Sequence, residues 1–507
     1  MDMRVRLGWL LFAPMVLAGA EDLKEVEKRV TDFTLSNGLR FILLERHEAP
    51  LISFHTHVAA GSANDPAGQT GLAKILERMA VKGSETIGTR NWPEEKKALE
   101  ALDEAYNRME AERNKGPRIN QTQYETLRTQ WRLAVDNAER QSQSGDYLKI
   151  LSENGATAVH SQTGYSSIQF SYTLPSNRIE LWFLMESQRL IHPVFRDFYK
   201  ERDELVEEHR KLQGNIQSRL FDIFLATAFV AQPYRVAPVG WASDVAELRR
   251  TDAIAFQERY FVPGNITIAI AGDINPEEAR RFAEKYFGPM PARPMPPQLR
   301  TVDPQQQGAR IATLDVAVQP TMVATGYRRP DYYDKDDTAL DVLQAVLVSG
   351  NGGLAYRDLV QERRIAVAMQ AGATYPDGRY PNMFLFFFAP TQGHSVEEAQ
   401  KALDELLARL KTQKVGLETL NQAKSRVRAL SYQRLQTNPS AAEMLALYTS
   451  AYGDWKKLFT LIDDVRNVSE DDLIRVAQRY FHPSNRTTVY TAVPRVATAG
   501  LEVGGRP

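Results

Sequence analysis

The sequence predicts an α/β (α+β) protein made of two homologous domains, with a helical hairpin inserted in the first. Three observations predict this fold class. A seven-residue pattern occurs twice, a proline-rich stretch lies between the two occurrences, and a polar helical segment interrupts the first half. With 507 residues, the chain is long enough for several domains that each bury a core.

The repeated pattern indicates a duplication. Arg-Tyr-Phe-Val-Pro-Gly-Asn at 259–265 recurs as Arg-Tyr-Phe-His-Pro-Ser-Asn at 479–485. Each copy follows an amphipathic helical stretch with capping residues at its start, and each precedes a run rich in β-branched residues. Chance similarity over a short pattern is the alternative interpretation.

A linker separates the two copies. Five prolines stand within residues 288–297, and such a stretch cannot sustain a helix or a central strand. We therefore expect an N-terminal domain over 21–288, a proline-rich linker over 289–300, a C-terminal domain over 301–498 and a flexible tail over 499–507.

Residues 92–146 are polar and rich in helix formers. Four apolar residues of the first stretch fall three and four positions apart, which gives one narrow stripe. They are Leu99, Leu102, Tyr106 and Met109. A break at Gly116-Pro117 precedes a second helical stretch that contains Trp131. We expect an inserted hairpin, either a solvated structural element or an arm that docks a partner through Trp131.

The N-terminus has the features of a secretory signal peptide. Arg4 and Arg6 precede an apolar run over 9–17, and Ala18-Gly19-Ala20 forms an A-x-A cleavage site. The apolar run is too short to span a bilayer, and no later segment is long enough. We expect residues 1–20 to be removed and the protein to be soluble and exported to the periplasm; an uncleaved anchor is the alternative.

Composition excludes several classes of function. The formal net charge is −1, so no basic surface for nucleic acid is indicated. The chain has no cysteine, which excludes disulfides, thiolate metal sites and cysteine nucleophiles.

One helical segment has the spacing of a metal site without its ligands. Lys74-x-x-Glu77-Arg78 has the spacing of the zinc-binding signature H-x-x-E-H. That signature places two imidazoles on one helical face beside a glutamate base. Here the glutamate is present, and both histidine positions carry cationic residues.

The residues around this segment resemble the insulinase/pitrilysin family of zinc metallopeptidases, the inverzincins. The matching blocks are 33–41, Gly71-Leu72-Ala73, Met79-x-x-Lys82-Gly83-Ser84 and 271–273. The chain is most similar to the short bacterial type with two homologous halves. The resemblance implies two mitochondrial-processing-peptidase-like domains, each a sheet covered by helices, forming a clam-like shell around a peptide-sized chamber.

The resemblance also implies a downstream ligand. In the family, a glutamate in the pattern E-x(6)-E completes the zinc site, and Glu201 and Glu208 match this pattern. Glu208 takes the ligand position, and Glu201 takes that of the supporting carboxylate. Their separation from Glu77 exceeds the usual family spacing by roughly the length of the expected hairpin.

The substituted positions cannot bind zinc. A catalytic zinc site needs three ligands from His, Glu, Asp or Cys, and protonated Lys74 and Arg78 offer no lone pair. We therefore expect no cofactor, whereas active relatives use zinc. Carboxylates gathered without a metal would repel one another and raise their pKa values. Our hypothesis is that the two cations replace the metal's charge with salt bridges; two unrelated exposed cations are the alternative.

Other histidines allow a relocated metal site. His55 and His57 alternate on an expected strand, His160 lies near the expected substrate strand, and His209 follows Glu208. Such a His-x-His pair is more often a structural feature than a metal site.

Other positions important in the family have also changed. The strand that binds the peptide backbone in active relatives corresponds to 159–162. Val360 and Val367 align with the Arg and Tyr that polarise the scissile carbonyl. Together with the lost ligands, these changes favour loss of catalysis.

The sequence therefore predicts an exported, catalytically inactive homologue with Glu77 as a vestigial base. It would bind peptides or unfolded segments, or act as the non-catalytic subunit of a zinc-bearing partner chain or of a homodimer. One alternative is an active zinc metalloendopeptidase with an atypical metal site. Another is a structural scaffold or inhibitor.

Overall fold

The computed structural model describes residues 23–348 and 350–493. The first half contains the helices α1 (Leu23–Lys28), α2 (Leu72–Met79), α3 (Trp92–Arg113), α4 (Gln121–Gln141), α5 (Asp146–Glu153), α6 (Ile179–Ile191), α7 (Phe198–Gln213), α8 (Ile216–Ala228), α9 (Ala242–Glu247), α10 (Arg250–Tyr260) and α11 (Pro276–Phe287). Its strands are β1 (Val30–Thr34), β2 (Arg40–Glu45), β3 (Leu51–Val58), β4 (Thr157–Thr163), β5 (Ile168–Pro175) and β6 (Ile266–Gly272).

The second half repeats this mixture of elements. Its helices are α12 (Asp337–Val348), α13 (Leu354–Tyr356), α14 (Val396–Leu410), α15 (Leu417–Leu435), α16 (Asn438–Tyr452), α17 (Lys457–Asn467) and α18 (Glu470–Tyr480). Its strands are β7 (Arg310–Asp315), β8 (Val323–Arg329), β9 (Ala366–Tyr375), β10 (Asn382–Pro390) and β11 (Arg486–Ala492). The signal peptide expected over 1–20 and the tail expected over 499–507 lie outside the described residues.

Each half contains one sheet, and the two sheets share a topology. The first sheet has the order β1-β2-β6-β3-β5-β4 and the second β7-β11-β8-β10-β9. In each sheet the last strand of the half, β6 or β11, inserts between its neighbours and runs parallel to the half's early strand, β2 or β7. The predicted fold class, two homologous α/β domains, is confirmed.

The repeated sequence pattern forms the same structure twice. Helix α10 leads through a short turn into β6, and α18 leads through a matching turn into β11. In each turn the asparagine amide donates to a tyrosine carbonyl five residues earlier, from Asn265 to Tyr260 and from Asn485 to Tyr480, both at 2.9 Å. The bond satisfies a carbonyl left free where the helix ends.

Each half contributes a helix that covers the sheet of the other half. Helix α16 packs on β6 and β3, and α8 packs on β7 and β11. The Arg46 guanidinium donates to the Leu435 carbonyl at 2.7 Å, and Arg310 donates to the Ala228 carbonyl at 2.8 Å. A cavity of about 440 Å³ lies between the halves, and residues of both halves line it.

Helices α3 and α4 occupy the segment expected to form the hairpin, and they pack on each other. The apolar stripe of α3 is buried in the core of the first half. Trp131 packs edge-on against Tyr106 and Tyr199, with ring centroids 5.7 Å and 5.3 Å apart. Because this indole contacts its own domain, it is not the exposed docking residue that one interpretation of the sequence required.

A buried ion pair also fixes the hairpin to the domain. Arg196 Nε lies 2.6 Å from Glu95 Oε1, and both side chains are 1% exposed. Arg196 further donates to the carbonyls of Lys82 and Ile87, next to the end of α2. The hairpin is thereby held beside the segment with the metal-site spacing. Within the described part of the chain, no helix has both the length and the apolar content needed to cross a bilayer.

Candidate functional site

Helix α2 begins at a tightly packed turn. Gly71 has φ +90°, and a Cβ there would lie 2.9 Å from the Val239 carbonyl oxygen. The carboxylate of Asp65 accepts from the backbone N–H groups of Gly71 and Ala73, each at 2.8 Å. Carboxylates stabilise helix N-termini in this way. The turn fixes α2 so that Ile75 and Leu76 are buried in the core while Lys74 and Arg78 remain partly exposed.

Glu77 is held by three donors. Lys74 Nζ lies 2.8 Å from Oε2, Thr163 Oγ1 lies 2.7 Å from the same oxygen, and Ser161 Oγ lies 2.8 Å from Oε1. Ser161 and Thr163 belong to β4, so the edge strand and α2 meet at this carboxylate. Lys74 thus pairs with the glutamate on its own helix.

Arg78 forms the second ion-pair group. Its Nη2 lies 2.6 Å from Glu208 Oε2, and its Nη1 lies 3.0 Å from Glu201 Oε2. Glu204, one helical turn from both glutamates on α7, lies 3.4 Å from the same Nη1. Lys82 Nζ contacts Glu201 Oε1 at 2.5 Å. The guanidinium therefore links α2 to α7 at the positions where the family pattern implies zinc.

The cations set the charge state of these carboxylates. Burial raises the pKa of Glu77, but hydrogen bonds from Lys74 and Thr163 outweigh this effect, and the pKa lies below its ordinary value of 4.5. Burial likewise raises the pKa of Glu201, while Lys82 and Arg78 lower it below the same value. Both groups are charged at neutral pH, and Glu77 is a weaker base than a free glutamate.

The residues present do not fit the zinc that the resemblance implies. Of the three ligand positions only Glu208 carries a metal ligand, and its carboxylate is bound to Arg78. An ammonium and a guanidinium occupy the other two positions. Within residues 23–348 and 350–493, no group of three His, Asp or Glu side chains is arranged to hold a metal.

The structure locates the histidines considered for a relocated site. His55 and His57 are buried on β3, with ring centroids 6.5 Å apart. Burial lowers the pKa of His55 to about 4 and that of His57 to about 3, so both are neutral at pH 7. His160 is exposed on β4, and His209 is half-buried on α7.

The positions expected to contact a substrate lie on the edge strands of the two sheets and in the helical turn before β9. Residues 159–162 lie on β4, which is the edge strand next to Glu77. Val367 is 52% exposed on β9, the edge of the second sheet, and Val360 is half-buried in the helical turn before it. Neither valine side chain can donate a hydrogen bond to a carbonyl.

A cavity of about 1150 Å³ adjoins the ion-pair cluster. Arg78, Glu204 and Glu208 lie on one side, and α3 and α4 of the hairpin form another. Its wall combines the aromatic side chains of Tyr106 and Trp131 with charges of both signs. The hairpin thus forms one wall of an open cavity beside the cluster.

Sequence reasoning missed several contributors to the site. Lys82 lies in the turn after α2, which ends at Met79, so helical spacing could not place it beside Glu201. Glu204 stands one turn from both Glu201 and Glu208 on α7, which was a usable signal. No sequence pattern predicted the hydroxyl contacts of Ser161 and Thr163 or the helix cap by Asp65. These contacts depend on how β4 and the turn before α2 are placed in the folded structure.

The class of protein follows from the fold and from comparison with known families. Residues 247–427 match the family model described as the Peptidase M16 inactive domain. A crystal structure of a protease from Helicobacter pylori superimposes with a TM-score of 0.75, covering 91% of this chain and 99% of that one at 21% identity. The chain is a homologue of the insulinase-family, or M16, peptidases.

Individual relatives agree with this assignment. The zinc protease PqqE of Helicobacter pylori is 27% identical over 355 residues, covering 68% of this chain and 79% of that protein. A probable mitochondrial-processing peptidase subunit beta of Arabidopsis thaliana is 22% identical over 480 residues, covering 92% and 79% respectively. The similarity to a named subunit extends over nearly the whole chain.

Proposed function

We propose that this chain is an exported, non-catalytic insulinase-family homologue that binds extended peptide segments and serves as the partner subunit of a zinc-bearing chain. The observation that carries the proposal is the Arg78 bridge, whose guanidinium joins Glu201 and Glu208 where a metal would have to bind. A guanidinium that bridges two glutamates in this way occupies the carboxylate oxygens that a metal would need.

The state of Glu77 supports the same proposal. A general base needs a pKa near the working pH and a polarised water to act on. Glu77 has a lowered pKa, and its oxygens accept from Lys74, Ser161 and Thr163. The carboxylate therefore serves as a structural connection between α2 and β4.

Peptide binding is supported by the edge strand β4. This strand pairs with β5 on one side, and no described strand pairs with its other side. Residues 157–160 are exposed, including Val159 at 47%. An extended peptide adds to such an edge through main-chain hydrogen bonds. The chain would keep this function without a metal, and the name of the Arabidopsis relative supports a subunit role.

Metal analysis and peptide cleavage test the loss of catalysis. We expect the purified mature chain to hold far less than one zinc ion per chain and to show no chelator-sensitive cleavage of an unstructured peptide. The double substitution Lys74→His with Arg78→His restores the ligand pattern and should bring zinc to about one ion per chain. The matched control adds Glu208→Gln to this pair and should lose the metal again. Stoichiometric zinc in the unmodified chain, with cleavage abolished by Glu77→Gln, would sink the proposal.

Export and partnership have separate tests. Mass spectrometry of the secreted chain should give an N-terminus at Glu21, whereas an intact Met1 would contradict signal cleavage. Affinity purification from the native periplasm should recover a chain that bears an intact H-x-x-E-H motif. Recovery of this chain alone would favour the lone scaffold.

A further inference from the structure

The turn between β4 and β5, residues 164–167, contacts the second half of the chain. Ser166 in this turn is buried, and its hydroxyl donates to Asp377 Oδ2 at 2.7 Å. Asp377 lies in the loop 376–381, which joins β9 to β10 in the second half. The edge strand of the first sheet is therefore held at one end by a carboxylate of the other half.

The second oxygen of Asp377 is bound as well. The hydroxyl of the fully buried Tyr234 donates to Oδ1 at 2.9 Å, and the backbone N–H of Arg379 donates to the same oxygen at 2.9 Å. The Tyr234 ring packs edge-on against Tyr165 of the turn and Tyr380 of the loop, with centroids 5.4 Å and 5.9 Å apart. These contacts orient the carboxylate towards the turn.

The loop that carries Asp377 is fixed within the second half. The Tyr332 N–H donates to the Gly378 carbonyl at 2.9 Å, and the Asn382 amide donates to the Tyr380 carbonyl at 3.1 Å. A Cβ at Gly378 would lie 2.7 Å from the Tyr332 ring, so the loop packs closely there. A loop held in this way can support the turn that it contacts.

The other supports of β4 come from the first half. The hydroxyls of Ser161 and Thr163 donate to Glu77, and two carbonyls of the turn accept from the N–H groups of Ser62 and Ala63 at 3.1 Å and 2.8 Å. Strand pairing supports β4 only through β5. Because an edge strand with few hydrogen bonds opens more readily than a central strand, each added support restricts it.

We propose that Asp377 is a positioning residue, which holds the β4–β5 turn through Ser166 and thereby keeps the edge of β4 in place for an extended peptide. An ordered edge binds such a peptide more tightly, because less conformational freedom is lost when the new strand forms. The second half thus contributes to binding at an edge that belongs to the first half. The part of this proposal that concerns peptide affinity rests on the proposed function.

Amide hydrogen exchange without peptide tests the support itself. Asp377→Ala should raise exchange in residues 157–167 about ten-fold, because a hydrogen bond to a charged acceptor is lost, and should leave β3 and β6 unchanged. Ser166→Ala should act in the same direction, and the double variant should exchange no faster than Asp377→Ala alone, since both substitutions remove one bond. Asp315→Ala, at an exposed carboxylate on β7, is the matched control.

Three results of the exchange measurement would overturn the proposal. They are unchanged exchange in residues 157–167, additive effects of the two alanine substitutions, and a uniform rise over the whole chain, which would indicate a merely structural role. If Asp377→Ala does not fold, Ser166→Ala decides, because it removes the same bond to the turn.

Fluorescence anisotropy with a labelled unstructured peptide tests the consequence for binding. Each alanine variant should weaken the affinity about three- to ten-fold. Asp377→Asn should retain most of the affinity, because its amide can accept from Tyr234 and donate to the Ser166 hydroxyl. Measurable binding that is equal in the unmodified chain and in both alanine variants would overturn the proposal. Absence of binding by the unmodified chain would instead reject the proposed function, and hydrogen exchange would decide the role of Asp377.

Discussion

Helices α2 and α12 occupy equivalent places, and their charges are arranged oppositely. Each follows the strand, β3 or β8, that lies next to the inserted strand of its sheet. Helix α2 carries the cations Lys74 and Arg78 four residues apart, and α12 carries the carboxylates Asp337 and Asp341 at the same spacing. The cations of α2 are saturated by glutamates, whereas the two carboxylates of α12 share the single guanidinium of Arg329.

This difference shows how a duplicated framework can hold two unlike sites. In the first half, Lys74 and Arg78 of α2 are paired with glutamates of the protein itself. In the second half, a carboxylate faces a cavity with an incomplete partner. Local charge balance, and not the shared topology, distinguishes the two helices.

The largest expected loss of stability comes from a substitution that removes the partner of the α12 carboxylates. Arg329 is 0% exposed and donates to Asp337 and to the Ala373 carbonyl. Arg329→Met would leave buried carboxylates without their cation, and we expect it to lower the free energy of unfolding by about 3–5 kcal/mol. Urea denaturation measures this change. A loss below about 1 kcal/mol would mean that the cavity already hydrates Asp337 well.

A smaller loss of stability is expected from a substitution of Arg78 on α2. Arg78 is 23% exposed, and Glu208 is 37% exposed, so water can partly replace the lost contacts. Arg78→Met should cost about 1–3 kcal/mol. Arg128→Met is the matched control, because that arginine pairs at 3.6 Å with a half-exposed Glu125 and should matter by less than about 0.5 kcal/mol. Equal effects of the two substitutions would remove the distinction between a partly buried cluster and surface ion pairs.

The smallest expected effect is on the pH dependence of stability. This dependence should have one sign for Glu77 and Glu201 and the opposite sign for Asp341. The pKa values of Glu77 and Glu201 are lowered from 4.5, so their stabilisation is present above pH 4.5 and is lost as pH falls through the lower folded values. The raised pKa of Asp341 has the opposite consequence. Its contribution to stability is most favourable below pH 3.8, where the carboxyl is protonated, and that advantage is lost as pH rises through the pKa of the folded state. Unfolding of Glu77→Gln and Asp341→Asn across pH 3 to 8 checks both signs. Parallel profiles for both variants would contradict the assignment.

The sequence was sufficient for the fold because its signals are local. The repeated Pro-Asn turn marks the equivalent ends of both halves, and the spacing of Leu99, Leu102, Tyr106 and Met109 marks a helix with one buried face. Helical periodicity predicts that one face of a helix is buried, but it does not predict which element packs against that face. For that reason the exchange of α8 and α16 between the sheets was not predicted.

The site was predictable where its residues share one helix. The pattern from Glu201 to Glu208 placed two of the partners of Arg78. Lys74 and Arg78 were expected to form salt bridges with the gathered carboxylates, and Lys74 pairs with Glu77, three residues away on α2. The pKa values of Glu77 and Glu201 are lowered by the expected cations Lys74 and Arg78, and also by Lys82 and the β4 hydroxyls, whose positions depend on tertiary structure.

The exchanged helices make the two halves thermodynamically inseparable. A fragment ending before the linker would lack α16, and the apolar side chains of Ile42, Leu44 and Ala271 beneath that helix would face water. A fragment beginning after the linker would lack α8 and would expose Ala324 and Leu385 in the same way. Each half therefore completes the hydrophobic core of the other, and we expect the two halves to unfold together despite their duplicated origin.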